Sequence, residues 1–393
     1  MTKQLFIIAL TGLSSTMAFA ADLYVRNAGA GGAYPTVSSA IAAASDGDRI
    51  IILPKANGEA YVENLIVNKS LSFVSEANYT KYIIQGNISI NPSVERTVTF
   101  SNLSSGYAGS YRIEGTVPIS TGRTTVNLVN CELQNVIMDK VNFSLNISGS
   151  TVSGNLKFAH GRCTGNKVEN ITITASLDSS PAGSDIEVYG NVSKTWISNS
   201  QSNYNFKIHN NFCAGIYVYN LKAGSSNEII NNTVYNPDPV DMAPFFINLN
   251  VNNTNTGKVA IMNNAASFVV GATNACIKNN SNNVIVTANY NVFANTFVTE
   301  GNINQSDNSG SVNMTFNDVA YTVTGMNVDA GNPGVKYTDL DLTRNDAGHY
   351  GGSNSWANYW PANSNNKPQV NYLSVPRSVT SGTLNISGFG FSK

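Results

Sequence analysis

The sequence predicts an all-β chain coiled as a parallel β-solenoid, and three observations point there. Short runs of β-branched residues, divided by Asn, Gly and Ser, fill the chain after one early helix: "RIIIL" (49–53), "SLSFVS" (70–75), "TVNLVN" (125–130) and "NNVIVT" (282–287) are examples. Runs of that length with turn residues between them read as strands. The Asn-Gly and Asp-Gly dipeptides that would close two-residue hairpins are nearly absent. Finally, "IHNNF" (208–212), "IINNTV" (229–234) and "IMNNAA" (261–266) repeat an apolar-x-Asn-Asn pattern, their asparagine pairs 21 and 32 residues apart. In a parallel coil each rung stacks ~4.8 Å above the last, so a corner residue sits over its counterpart. Asparagine tolerates the left-handed backbone of a corner, and its amide can bond to an asparagine above and below.

The elements follow in order. Lys3, the apolar "LFIIALTGL" (5–13) and "AFA" ending at Ala20 read as a secretory signal cleaved after Ala20. That run is shorter than the ~20 residues of a membrane-spanning helix, and no later run is long enough, so a secreted chain without a membrane span is expected. A short strand, "DLYVRN", and the Gly-rich "AGAGGAYP" lead to a helix over 36–46, with Thr36 as N-cap, Val37, Ile41 and Ala44 on one face, and Gly47 at its end. The strand series occupies residues 48–330. Residues 353–393 read as a polar, aromatic-bearing linker and two or three strands, too short for an independent domain and expected to dock on the coil.

Composition narrows the function. Net charge is −1 and only 12% of residues are charged, against roughly 25% in an ordinary soluble domain. So few Lys and Arg give no electrostatic footprint for nucleic acid. Uncharged polar residues must cover the surface, and asparagine alone numbers 57. Cys131, Cys163, Cys213 and Cys276 fit two disulfides by count in an exported protein, or four thiols packed as small apolar side chains.

The stretch "TVSSAIAAASDGDRIIILPKANGEAYVENLIVNKSLSFVSE" (36–76) resembles the opening of the secreted right-handed parallel β-helix proteins of the pectin-lyase-like superfamily. "DAGNPGVKYTDLDLTRNDAGHYGG" (329–352) is similar to a closing segment common in bacterial members. The resemblance implies a single right-handed parallel β-helix over 21–352, its first rung covered by the N-terminal helix. Rungs of roughly 20–28 residues imply about 11–13 turns and a column of roughly 50–60 Å.

The catalytic motifs of pectin methylesterases, polygalacturonases and pectate lyases do not appear beyond "GEAYVE" (58–63), and the middle of the chain lacks the paired aspartates that inverting hydrolysis needs. One internal match remains: "NLKFAHGRC" (155–163) and "NFKIHNNFC" (205–213) align at an offset of 50 residues. If that offset spans two rungs, Lys157 and Lys207 lie ~10 Å apart in one column, with His160, Arg162 and His209 beside them. A lyase needs a base for the proton α to a uronate carboxyl and cations for the charge that develops. In "DLDLTRND" (339–346), Asp339, Asp341, Asn345 and Asp346 offer oxygen ligands for calcium, or a structural turn in which Arg344 pairs with a carboxylate. The chain also carries 18 Tyr and 3 Trp, several of them in the strands "VYGNVSKTW" (188–196) and "AGIYVYN" (214–220). Exposed rings stack on sugar faces, and asparagine amides match sugar hydroxyls. The expectation is an exported monomer that binds polysaccharide or a cell-surface glycan. The alternatives are a lyase acting on a uronate-containing polymer and a structural or adhesive surface protein.

Overall fold

The computed structural model describes residues 20–106, 109–116, 123–175, 185–237, 247–251, 256–268, 275–359, 369–374 and 386–391. Its strands wind into a parallel β-helix. A 13-stranded sheet runs in chain order from Asp22–Val25 through Arg49–Ile52, Leu71–Ser75 and onward to Ile303–Ser306, and a 20-stranded sheet carries the rest of each rung. Every pairing in both sheets is parallel; among the described residues two separate pairs are antiparallel, Met314–Asn317 with Thr322–Gly325 and Gln369–Ser374 with Ser387–Phe391. Alternate residues point inward, so Leu71, Phe73 and Ser75 are buried between half-buried neighbours. Stacking then piles like on like: Phe73 lies over Phe100, their rings parallel and 4.4 Å apart. Cys163 sits in an aliphatic file between Ile147 and Val188. All four cysteines are free and buried, and burial pushes the Cys163 and Cys213 thiols up to about 12. The interior thiol alternative therefore holds and the two disulfides do not form.

The corner after the long sheet explains the paired asparagines, with one duty for each. The first residue of each pair, Asn210, Asn231 and Asn263, takes a left-handed φ of 55–57°. Gly149, Gly165 and Gly190 fill the same corner in earlier rungs. The second residue points into the core. Asn166, Asn191, Asn211, Asn232, Asn264, Asn291 and Asn308 form one file, each Nδ2 donating to the next Oδ1 at 2.8–3.0 Å. Each Oδ1 also accepts the backbone N–H of the preceding asparagine, and each Nδ2 gives its other hydrogen to a strand carbonyl one rung back, as Asn211 does to Val188 at 2.9 Å. Both donors and both acceptor positions of the amide are filled, which makes a fully buried amide tolerable. Ser150 and then Cys131 continue the file in earlier rungs, through Ser150 N–H to Asn166 Oδ1 and Cys131 N–H to Ser150 Oγ.

At the amino-terminal end the helix Val37–Ala43 begins at Thr36, whose hydroxyl accepts the Ser39 N–H. Both helix ends are completed by side chains from the next rung. Glu63 accepts the Val37 and Ser38 N–H groups at 2.9 Å, and the Lys69 ammonium donates to the carbonyls of Ile41, Ala42 and Ala44. Anion at the start and cation at the end match the helix dipole. The helix covers the first rung as expected. Asp22–Val25 already pairs with Arg49–Ile52, so the helix is the connection between those two strands, folded across the end of the core.

After the last rung the chain turns back along the corners toward earlier rungs. Asn332 N–H donates to Asn263 Oδ1, Asn231 Nδ2 donates to Asn345 Oδ1 and the Asp346 carbonyl, and Asn210 Nδ2 donates to the carbonyls of His349 and Gly351. This strap ends with Tyr359 lying on Gly190 and Gly165. Corner glycine replaces corner asparagine where the ring needs room. At Gly190, φ is +64° and an added Cβ would run into the Tyr359 ring. Gly190→Ala should therefore cost about 2–3 kcal/mol, read as a lower urea midpoint, whereas Gly224→Ala, also at positive φ (+69°) but with open space around it, should cost less. Of the linker expected to dock on the coil, the described residues Trp356 and Tyr359 pack against its side.

Under the strap, His349 is fully buried, its Nδ1 2.6 Å from Thr233 Oγ1 and its Nε2 3.1 Å from the Tyr321 carbonyl. A carbonyl can only accept, so Nε2 carries the proton and the Thr233 hydroxyl donates to Nδ1. Burial pushes His349 down to about 3 and His160 down to about 4. With an unfolded value near 6.5, the stability these neutral rings contribute is complete above about pH 6.5 and is lost as pH falls toward 4 and then 3. Asp339, raised by burial to about 6, acts in the opposite sense over part of that range. The expected result is that nitrogen-15 spectra at pH 5 show the Nε2–H tautomer for His349 and no imidazolium for either residue.

Candidate functional site

The five residues expected to form a lyase site do not meet. Lys157 lies on Thr151–Phe158 in the 20-stranded sheet, paired with Ile137 and Thr172. Arg162, Lys207 and His209 lie in the 13-stranded sheet, in the registers Arg162–Glu187–Lys207 and Thr164–Tyr189–His209. Two rungs here take the 45 residues from Arg162 to Lys207, not the 50 that would have stacked Lys157 under Lys207. His160 is sealed in the interior, its Nε2 3.0 Å from the Val141 carbonyl and its ring against Tyr204. The outward charges are largely matched with each other. Arg162 Nε is 2.7 Å from Glu187 Oε2. His209 Nε2 approaches Glu228 Oε2 at 3.0 Å, off the line of a good hydrogen bond, and holds that carboxyl below its usual range. Successive rungs thus present Arg162, Glu187, Lys207 and Glu228, alternating in sign, an order that favours stacking in itself.

The oxygen groups offered for calcium or for a structural turn form the turn. Asp339 accepts the N–H groups of Gly352 and Asp346, Asp341 accepts the N–H and hydroxyl of Thr343, and Asp346 accepts the Asp329 N–H. Asn345 points the other way, its amide between Asn231 and the Tyr337 carbonyl. Among the described residues no group of three or more His, Cys, Asp or Glu side chains is arranged to hold a metal ion. Arg344 donates to the Gly331 carbonyl at 2.7 Å rather than pairing with a carboxylate. The cluster anchors the strap: Asp339, 8% exposed, ties Gly352 to Asp346.

The aromatic strands do assemble a surface. Trp196 opens the strand Trp196–Asn199, and Tyr217 and Tyr219 come from the next rung, on Gly215–Val218 and just beyond it. Positions 217 and 219 share one face by the two-residue period of a strand. Trp196 is 40% exposed and Tyr219 46%, high for such large rings. The two tyrosines lie parallel at 6.2 Å and 8°, and Trp196 stands edge-on to Tyr217 at 6.4 Å. Gly215, paired with Trp196, leaves the space that Tyr217 uses: a Cβ there would be 3.0 Å from the tyrosine ring. Thr172, Ser198 and Asn248 stack in the Tyr217 column, and Lys157 continues it one rung beyond Thr172. The result is a platform of ring faces whose column also carries the partly exposed Thr172 hydroxyl and Lys157 ammonium. Tyr189, from the same sequence stretch as Trp196, faces the strap instead and packs on Tyr359.

Fold and surface together define a parallel β-helix protein with an aromatic platform on one face. No protein-family model, curated protein or solved structure matches the chain. No helix among the described residues is long and apolar enough to cross a membrane.

Proposed function

We propose that the chain is an exported β-helix protein, akin to the pectin-lyase-like superfamily, that binds extracellular or cell-surface polysaccharide on the Trp196–Tyr217–Tyr219 platform. The observation that carries this reading is three rings from adjacent rungs, two of them highly exposed, on one face. Ring faces take the C–H side of a pyranose, while the partly exposed Thr172 and Lys157 of the same column offer a hydroxyl and an ammonium to its hydroxyls. The leader-like residues 1–20 and the paucity of charge fit an extracellular surface that must stay polar without attracting ions.

The test is co-sedimentation of purified protein with insoluble pectin, alginate and glycosaminoglycan matrices, with absorbance of unsaturated ends followed in the same tubes. Retention on at least one polymer without new absorbance supports binding. Release of unsaturated ends would make the protein a lyase, and no retention on any polymer would refute the reading.

A further inference from the structure

One backbone nitrogen near the amino-terminal end of the coil is bonded to a buried carboxylate. Ala20 and Ala21 are exposed, and Ala21 is tied to the next rung: its N–H donates to Asp48 Oδ1 at 2.8 Å and its carbonyl accepts the Arg49 N–H at 2.9 Å. Asp48 is 6% exposed, and its other oxygen accepts the Ser45 N–H at 2.7 Å. The Ala20–Ala21 bond is also the one that follows the small-residue "AFA", where a leader would be cut. The residue that this cut would leave first is thus the one whose nitrogen reaches Asp48.

We propose that removal of residues 1–20 turns this N–H bond into an ion pair, so that the new α-ammonium of Ala21 locks onto the buried Asp48 carboxylate and the processed amino terminus becomes part of the first rung. The proposal rests on the export reading. Cleavage adds water across the Ala20–Ala21 amide: the C–N bond breaks, hydroxyl goes to the Ala20 acyl carbon, and the freed Ala21 amine takes a proton from water at neutral pH. A leader-removing protease supplies the catalysis. An amide nitrogen offers Asp48 a dipole, whereas an ammonium at the same distance offers a full charge and a stronger, charge-assisted bond. Asp48 is ready for it, because the Ser45 and Ala21 N–H groups already hold its carboxyl below the usual range. Around the pair stand Asp22 and Arg49, joined to each other by a double contact at 2.6 and 2.8 Å, and Lys69, whose ammonium is bonded to helix carbonyls. None of these displaces the new terminus.

The α-amino group has an ordinary pKa near 8, and a carboxylate partner raises it in the folded state. The gain is therefore present at pH 6.5 and lost as pH rises through the raised value. Two chains decide the matter, one starting at Ala21 and one starting at Ala20, which returns an amide to Ala21. The Ala21 chain should melt about 1–3 °C higher at pH 6.5, the gap closing near pH 9.5 and in an Asp48→Asn background. Equal melting at both pH values would overturn the ion pair; if Asp48→Asn does not fold, the two-length comparison stands alone. Mass spectrometry of the exported chain should find Ala21 first, and any other first residue overturns the proposal while leaving the glycan-binding result untouched.

Discussion

Asn232→Leu should destabilise the protein by about 4 kcal/mol or more, one of the largest effects available at a single uncharged residue. Leucine keeps nearly the volume and removes the amide. The Nδ2 and backbone N–H of Asn211 both lose their acceptor, and the Ile208 carbonyl and Asn264 Oδ1 each lose a donor. These groups are in the core, where water cannot replace the partner, and each buried polar group left unpaired costs about 1–3 kcal/mol. Asn304→Leu, on an exposed outward position of the last rung, should stay within about 0.5 kcal/mol of the parent. Urea midpoints with matched slopes provide the comparison. Similar costs at the two sites would mean that the inner file is not a cooperative network.

Truncating the platform should have the largest effect on binding. Trp196→Ala and Tyr219→Ala remove the two most exposed rings of the cluster, and each loss of stacking should weaken retention on the bound polymer about tenfold, or ~1.4 kcal/mol. The double variant should lose about a hundredfold if the rings contact separate sugars. Stability should barely change, because both side chains already face solvent. Val62→Ala, at an exposed position (77%) far along the coil, serves as the control. Retention unchanged in the double variant would place the glycan elsewhere.

The paired asparagines were legible because their two tasks, a left-handed corner and a self-satisfying buried amide, are ones few other residues perform. The helix was legible at Thr36 for a similar reason, since its cap is local, while Glu63 and Lys69 act from the next rung and carry no local signal. The lysine pairing was misread because rung length is not constant: successive strands return after 16 residues between Ser144 and His160 and after 32 between Glu228 and Ala260. A sequence offset therefore does not give a column. The acidic segment left calcium and a turn both open because close oxygen spacing serves a strap as well as a cation, and the deciding partners, Gly352 and Asn231, lie outside the motif. The strap was visible as the closing segment 329–352, but its docking was not, since its contacts with Asn210 and Asn231 span 114 to 141 residues and use mostly backbone carbonyls. The exposed rings were visible as strand aromatics, but which of them face outward needed the register: Tyr189 went under the strap and Trp196 did not.

The most direct test of the stacked coil is exchange of asparagine side-chain amide protons in selectively nitrogen-15-labelled protein. The account predicts a protected set from Asn166, Asn191, Asn211, Asn232, Asn264 and Asn291, exchanging with the slowest backbone amides and lost together in Asn232→Leu. Fast exchange of every asparagine side chain would contradict it.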